Sequence, residues 1–240
     1  ATRARDQAGD RRVRFTPALL WAGLCFGGDM AFWHLSLHYT TVSNATLLTN
    51  AAPILIAVWL WCVQRARFGR VFISGMWTAT AGAVLLVAPD LFSHLGGGRV
   101  LGDVLGLVSA VFYAAYQLVI KDARDQYSTA RLMAWSTTIT GLTLLPLALL
   151  SPEPFLPQTV AGWLPLLGLA LLAQIGGQTV IAFASAHLPA SLSSVSLLIQ
   201  PLTATVAAWL IFAETIGPLQ LLGGALLIAG IYFARRGSAS

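Results

Sequence analysis

Residues 53–58 read Pro-Ile-Leu-Ile-Ala-Val, and residues 201–206 read Pro-Leu-Thr-Ala-Thr-Val, an offset of 148. The same offset relates Trp61 to Trp209, Gly75 to Gly223, and Ala81-Gly82 to Ala229-Gly230. One residue out of step, Gly27-Gly28-Asp29 answers to Gly176-Gly177-Gln178. The repeated stretches are almost wholly apolar, so the chain carries two copies of one hydrophobic unit.

The remainder of the chain has the same character. Of its 240 residues 57% are hydrophobic and 10% are charged, with a mean hydropathy of +0.75. A soluble domain carries about a quarter charged residues. Eight apolar runs stand out, at 17–38, 44–63, 71–88, 101–121, 130–150, 163–186, 191–213 and 218–233. A membrane-spanning helix needs about 20 such residues, and the strand-length alternation of a lipid-embedded barrel is absent. The expected class is an all-α integral membrane protein with about eight spans.

The repeat sets the architecture. Helices 1, 2 and 3 recur as helices 6, 7 and 8, while helices 4 and 5 have no partner. A full repeat is then five helices, and an odd number inverts one half relative to the other. Two domains are expected: residues 1–90, the last three helices of a first repeat, and residues 101–240, a complete second repeat. The missing partners correspond to a stretch upstream of Ala1, which makes eight helices of an expected ten. A truncated or split-gene product without activity of its own is the alternative.

Charge supports the inversion. Thirteen of the 14 Lys and Arg fall in alternate loops, including Arg3, Arg5, Arg11, Arg12, Arg14, Arg65, Arg67, Arg70, Lys121, Arg124, Arg131, Arg235 and Arg236; Arg99 alone falls on the other side. The positive-inside rule then puts both termini in the cytoplasm. Asp90, Asp103, Glu153 and Glu214 share the opposite face. The net charge of +5 is therefore a topology signal, with no nucleic-acid partner implied. Arg11-Arg12-Val13-Arg14-Phe15 mimics an export signal, but the run that follows is long for one and contains Asp29. Cys25 and Cys62 lie in apolar runs without metal-ligand spacing, and no cofactor or metal is expected.

Inverted repeats of this kind are the architecture of many secondary transporters, whose substrates bind near the midplane. The polar residues inside the spans are the candidate pathway. Asp29 lies about 18 Å into its helix at 1.5 Å per residue, where an ionised carboxylate costs roughly 2.5–3.5 kcal/mol. It could couple protons, anchor a cationic group, or serve structurally. Trp33 and Ser36 share its face, while His34 is turned about 140° away. His34 and His38 instead share a face with Gly23 and Gly27, small residues that let helices approach. Asn50 forms a stripe with Thr46 and Pro53, and Gln200 forms one with Ser193, Ser196 and Thr203. Pro53 and Pro201 each remove a backbone bond and should kink their spans, as hinges or cavity walls. Tyr113, Tyr116 and Gln117 on helix 4, and Gln174 and Gln178 on helix 6, could recognise a polar metabolite or bind helices together.

The stretch Leu35-Ser36-Leu37-His38-Tyr39-Thr40-Thr41-Val42-Ser43-Asn44-Ala45-Thr46-Leu47-Leu48, followed by Pro53, resembles the third and fourth helices of drug/metabolite transporters of the EamA-like type. Residues 178–235 resemble that family's closing helices, and Gly102-Asp103 through Lys121 resembles its sixth. The resemblance implies ten helices, cytoplasmic termini, a bacterial plasma-membrane location, and export or exchange of small metabolites such as amino acids. Two departures stand out. The first two helices are absent, and the Arg65–Arg70 cluster replaces an acidic residue usual after the fourth. Enzymatic readings find no support: a membrane Gly-x-Ser motif and a His-Glu-x-x-His motif are both absent, and the single lysine, Lys121, ends a helix. No nucleotide-binding loop is present, which argues against direct ATP drive; Asp29 and the resemblance together lead to the expectation of proton-coupled export. Neither substrate identity nor oligomeric state follows from the sequence.

Overall fold

A computed structural model describes residues 16–40, 42–93, 100–151, 155–212 and 216–238. The N-terminal arginines, Arg99, Glu153 and Glu214 lie outside the described residues. The described elements are all helical: α1 (Pro17–Leu37), α2 (Val42–Thr49), α3 (Ala52–Cys62), α4 (Arg70–Ser93), α5 (Val100–Ala123), α6 (Thr129–Leu150), α7 (Val160–Gly168), a π-helical stretch (Leu169–Gly177), α8 (Gln178–Ser185), α9 (Ala190–Leu197), α10 (Ile199–Phe212) and α11 (Pro218–Ser238).

Seven stretches among them are long and apolar enough to cross a membrane: Ala45–Cys62, Arg70–Ala88, Val100–Ala123, Thr129–Leu150, Val160–Ser185, Ala190–Ala207 and Pro218–Ser238. The eighth expected run is α1. Its 21 residues suffice in length, at about 1.5 Å each, but Asp29 and His34 dilute its apolar character. The helix ends follow local chemistry. Ser128 accepts a hydrogen bond from the Arg131 backbone N–H at 3.4 Å, and Thr159 accepts one from Gly162 at 3.2 Å, capping α6 and α7. Asp103 in the first turn of α5 and Lys121 in its last oppose the helix dipole in the favourable sense.

Two spans are broken where proline makes continuation costly. The chain turns at Asn50–Ala51, so that Pro53 enters the first turn of α3, where its missing N–H is harmless. The second break falls at Leu198, three residues before Pro201. Asn50 and Leu198 are related by the 148-residue offset.

The chain forms two compact units. One comprises the segment through Ala31 together with Ala115–Leu188; the other comprises Phe32–Ala114 and Pro189–Ser240. In the first unit, α1 approaches α6 closely. A Cβ on Gly23 would lie 3.0 Å from the Ser136 carbonyl oxygen, and one on Gly27 would lie 3.0 Å from the Thr143 Cβ. Thr140 donates its hydroxyl to the Gly23 carbonyl at 3.0 Å.

The second unit is built on the antiparallel pair α4 and α11. A Cβ on Gly75 would meet the Gly230 carbonyl oxygen at 2.7 Å, and one on Gly230 would meet the Gly75 oxygen at 2.7 Å. Gly82 and Gly223 are reciprocal in the same way, at 2.6 and 2.8 Å. The repeat equates Gly75 with Gly223 and Gly82 with Gly230. Each glycine therefore meets the equivalent of its own helix-mate, as across a local two-fold axis. Two equivalent helices running antiparallel are what an inverted repeat produces. Phe72, Met76, Ala79, Ala83 and Leu86 of α4 form the core of this unit with Val195, Leu198, Leu227 and Ala234.

Candidate functional site

The first unit holds five of the polar residues singled out in the sequence: Asp29, Tyr116, Gln117, Gln174 and Gln178. Asp29 is 2% exposed. One turn before it on α1, Phe26 stacks on Tyr116, with ring centroids 4.7 Å apart. Tyr116 is itself buried and donates its phenol hydrogen to Oε1 of Gln178 at 3.3 Å. Gln117, next to it, is buried, and among the described residues its Nε2 makes no hydrogen bond. An unsatisfied buried donor costs about 1–3 kcal/mol, and in native structures such a group asks for an explanation.

Gln174 lies in the π-helical stretch and donates to the Thr137 hydroxyl at 3.3 Å. π-Helical turns inside α-helices occur frequently at functional sites. The unit is closed at one end by polar ties: Lys121 Nζ donates to the Ser185 carbonyl at 2.8 Å, and Tyr127 donates to the Thr16 hydroxyl at 2.7 Å.

The second unit holds a separate polar group. The Thr49 and Ser109 hydroxyls lie 3.2 Å apart. Asn50 stands at the helix break, its Nδ2 buried and without a hydrogen bond. Thr40 donates to Asp103 at 3.0 Å. Phe32 stacks on Phe112 at 5.3 Å, and Trp33 is half-buried, edge-on to His34. Tyr113 is half-buried, Pro53 and Pro201 are buried, and His34, His38 and Gln200 are exposed.

Gln200 shows how far helical spacing carries. Ser193 on α9 is buried, whereas Gln200, past the turn at Leu198, is exposed. Ser109 and Thr137 were not singled out in the sequence. Ser109 had a legible signal, since Ser109, Tyr113 and Tyr116 stand at i, i+4 and i+7 on α5. Thr137 had none.

The all-helical fold, the apolar spans and the buried carboxylate define a multi-pass helical membrane protein. The chain belongs to the EamA-like transporter family, which matches residues 100–236. It is 28% identical to an uncharacterised transporter of Archaeoglobus fulgidus over 84% of this chain and 70% of that protein. It is 22% identical to the pseudopaline exporter of Pseudomonas aeruginosa, over 88% of this chain and 72% of that protein. It is 27% identical to a probable terminal-alkyne amino-acid exporter of Streptantibioticus cattleyicolor, over 94% and 75%. A crystal structure superposes with a TM-score of 0.77 at 18% identity, covering 92% of this chain and 76% of the other, a likeness of fold alone. Its relatives are named transporters and exporters, and a lipid bilayer and a small-molecule substrate follow from the family.

Proposed function

We propose that this protein is a secondary-active permease of the bacterial inner membrane, with cytoplasmic termini, that exports or exchanges an amino acid or similar small metabolite. The observation that carries the reading is Asp29: a carboxylate 2% exposed, roughly 18 Å along α1, which the sequence leads one to expect as a span. Charged groups at such depth are rare and mark substrate or proton pathways. We assign proton coupling to Asp29 and polar recognition to Tyr116, Gln117, Gln178 and Gln174, the last standing four residues before Gln178.

Within the second unit, Trp33, Asn50 and Tyr113 are assigned to polar recognition, Gln200 is exposed and takes no such role, and Pro53 and Pro201 act as hinges. The breaks at Asn50–Ala51 and Leu198 support the hinge assignment, since each leaves backbone carbonyls without helical partners. The reciprocal Gly75–Gly230 and Gly82–Gly223 approaches support two repeats, at residues 1–90 and 101–240. The named exporters among the relatives favour the outward direction, and one of them favours an amino-acid-like cargo.

The test has two stages. Metabolites excreted by cells with and without the protein are compared, and the compound that accumulates outside is taken as cargo. Proteoliposomes loaded with it should then release it faster under an imposed pH gradient. The absence of any excreted compound that depends on the protein would count against the export reading.

A further inference from the structure

The second unit contains a cavity of about 390 Å³ that the transport reading does not use. Arg67, Phe68 and Phe72 line it on one side, Ser191 on a second, and Gly237 and Ser238 on a third. It lies beside the loop that carries Arg65 and Arg67, at the end of α11 that carries Arg235 and Arg236.

The walls are fixed. The chain folds back after α3, with the Ala66 N–H donating to the Leu60 carbonyl at 2.9 Å and Arg65 in the left-handed region at φ 54°. Phe68 stacks on Phe72 at 4.9 Å. Gly237 packs on the Phe72 backbone so closely that an added Cβ would lie 2.7 Å from the Phe72 Cα.

Ser238 donates its hydroxyl to the Arg235 carbonyl at 2.9 Å, and the other polar groups of the cavity are donors. Pro189 is the N-cap of α9 and supplies no side-chain cap. Ser193 is the first residue to return its N–H into the helix, to Pro189 at 2.9 Å. The N–H groups of Ala190, Ser191 and Leu192 are therefore the unpaired donors of a helix N-terminus, with the positive end of its dipole. Ser191 is 8% exposed, and among the described residues its hydroxyl makes no hydrogen bond. Arg67 has no ion-pair partner among them either. Asp103, the one carboxylate of this unit whose side chain is described, is engaged by Thr40.

We infer that this cavity binds a phosphate oxyanion, held by Arg67, the Ser191 hydroxyl and the uncapped N-terminus of α9. A guanidinium offers a forked donor that matches phosphate, and a helix N-terminus is a ready anion site. The phosphate can come from an anionic lipid headgroup, for which basic pockets between spans are suited, or from a free phosphorylated solute. The aromatic wall of Phe68 and Phe72 is compatible with either.

The full chain in a neutral detergent should be melted during titration with inorganic phosphate and, separately, with phosphatidylglycerol. A saturable rise in melting temperature with at least one of them is expected. A response to phosphatidylglycerol alone assigns the source to lipid, and a response to inorganic phosphate alone assigns it to a free solute. Arg67→Gln should weaken the apparent affinity about tenfold, the scale of one charge-assisted hydrogen bond. Ser191→Ala should weaken it about threefold by the same scale. Arg236→Gln, outside the cavity lining, should leave it unchanged. The site is refuted if neither probe shifts the native protein, if both cavity variants respond as the native chain does, or if Arg236→Gln loses as much as Arg67→Gln. The last result would mean diffuse attraction to a basic face.

Discussion

The α4–α11 pair and the span Val160–Ser185 are both apolar helices of membrane-crossing length, yet they are packed in opposite ways. Nearly half of Arg70–Ala88 is buried inside the structure, whereas in Val160–Ser185 only Ala182 and Ser185 are. The first meets its partner through glycines at close approach. The second lacks buried residues through its π-helical stretch and carries Gln174 and Gln178. In a bilayer the lipid is as apolar as leucine, so hydrophobicity does not decide which helices pack together. Close van der Waals fit does. The contrast separates a scaffold, held by backbone proximity, from a span whose polar residues and irregular turn are suited to function.

The largest effect should come from breaking the scaffold. Gly75→Leu and Gly230→Leu each push a side chain into the opposing backbone, and overpacking costs about 1–3 kcal/mol and occasionally more. Each should lower the melting temperature sharply or abolish a monodisperse peak in size-exclusion chromatography. Equal damage from the two would sharpen the two-fold relation; tolerance of either would break it.

The next effect has the opposite sign. Gln117→Leu removes a buried amide whose Nε2 has no hydrogen bond among the described residues, and should stabilise the protein by roughly 1 kcal/mol while impairing transport. Loss of both stability and transport would mean that the amide is structural.

Arg65→Gly relieves a side chain held in the left-handed region, a strain of roughly 1–2 kcal/mol per residue. Glycine's extra freedom in the unfolded chain offsets part of this, so a gain of under about 1 kcal/mol is expected in thermal melts. The smallest effect is predicted for the bare span. Leu172→Ala, at a side chain 78% exposed, should change stability by no more than about 0.5 kcal/mol. A larger loss would show that something packs on that face.

Much of this fold was legible because membrane spans announce themselves by length and composition. The breaks at Asn50–Ala51 and Leu198 were also foreshadowed, since Pro53 and Pro201 cannot continue a ladder of backbone bonds. Close approach at Gly23 and Gly27 followed from their spacing. The π-helical stretch was not legible. No proline interrupts Leu169–Gly177, and only Pro165 before it and Gly176-Gly177 at its end mark the region. Of the candidate site, the Tyr116–Gln178 bond joins two residues named from their types alone. The Gln174–Thr137 bond does not, because a threonine among others on an apolar helix carries no pattern. The stripe containing Gln200 failed as a guide to burial: Ser193 is buried, whereas Gln200, past the turn at Leu198, is exposed.

The central claim is that Asp29 couples transport to protons. The most direct measurement is efflux of the identified cargo from proteoliposomes, with and without a pH gradient, for the native chain and for Asp29→Asn. The account predicts gradient-driven flux in the native protein that disappears in Asp29→Asn, with the variant still folded and still exchanging cargo. Flux that ignores the gradient in the native protein, or that responds to it equally in Asp29→Asn, would contradict it.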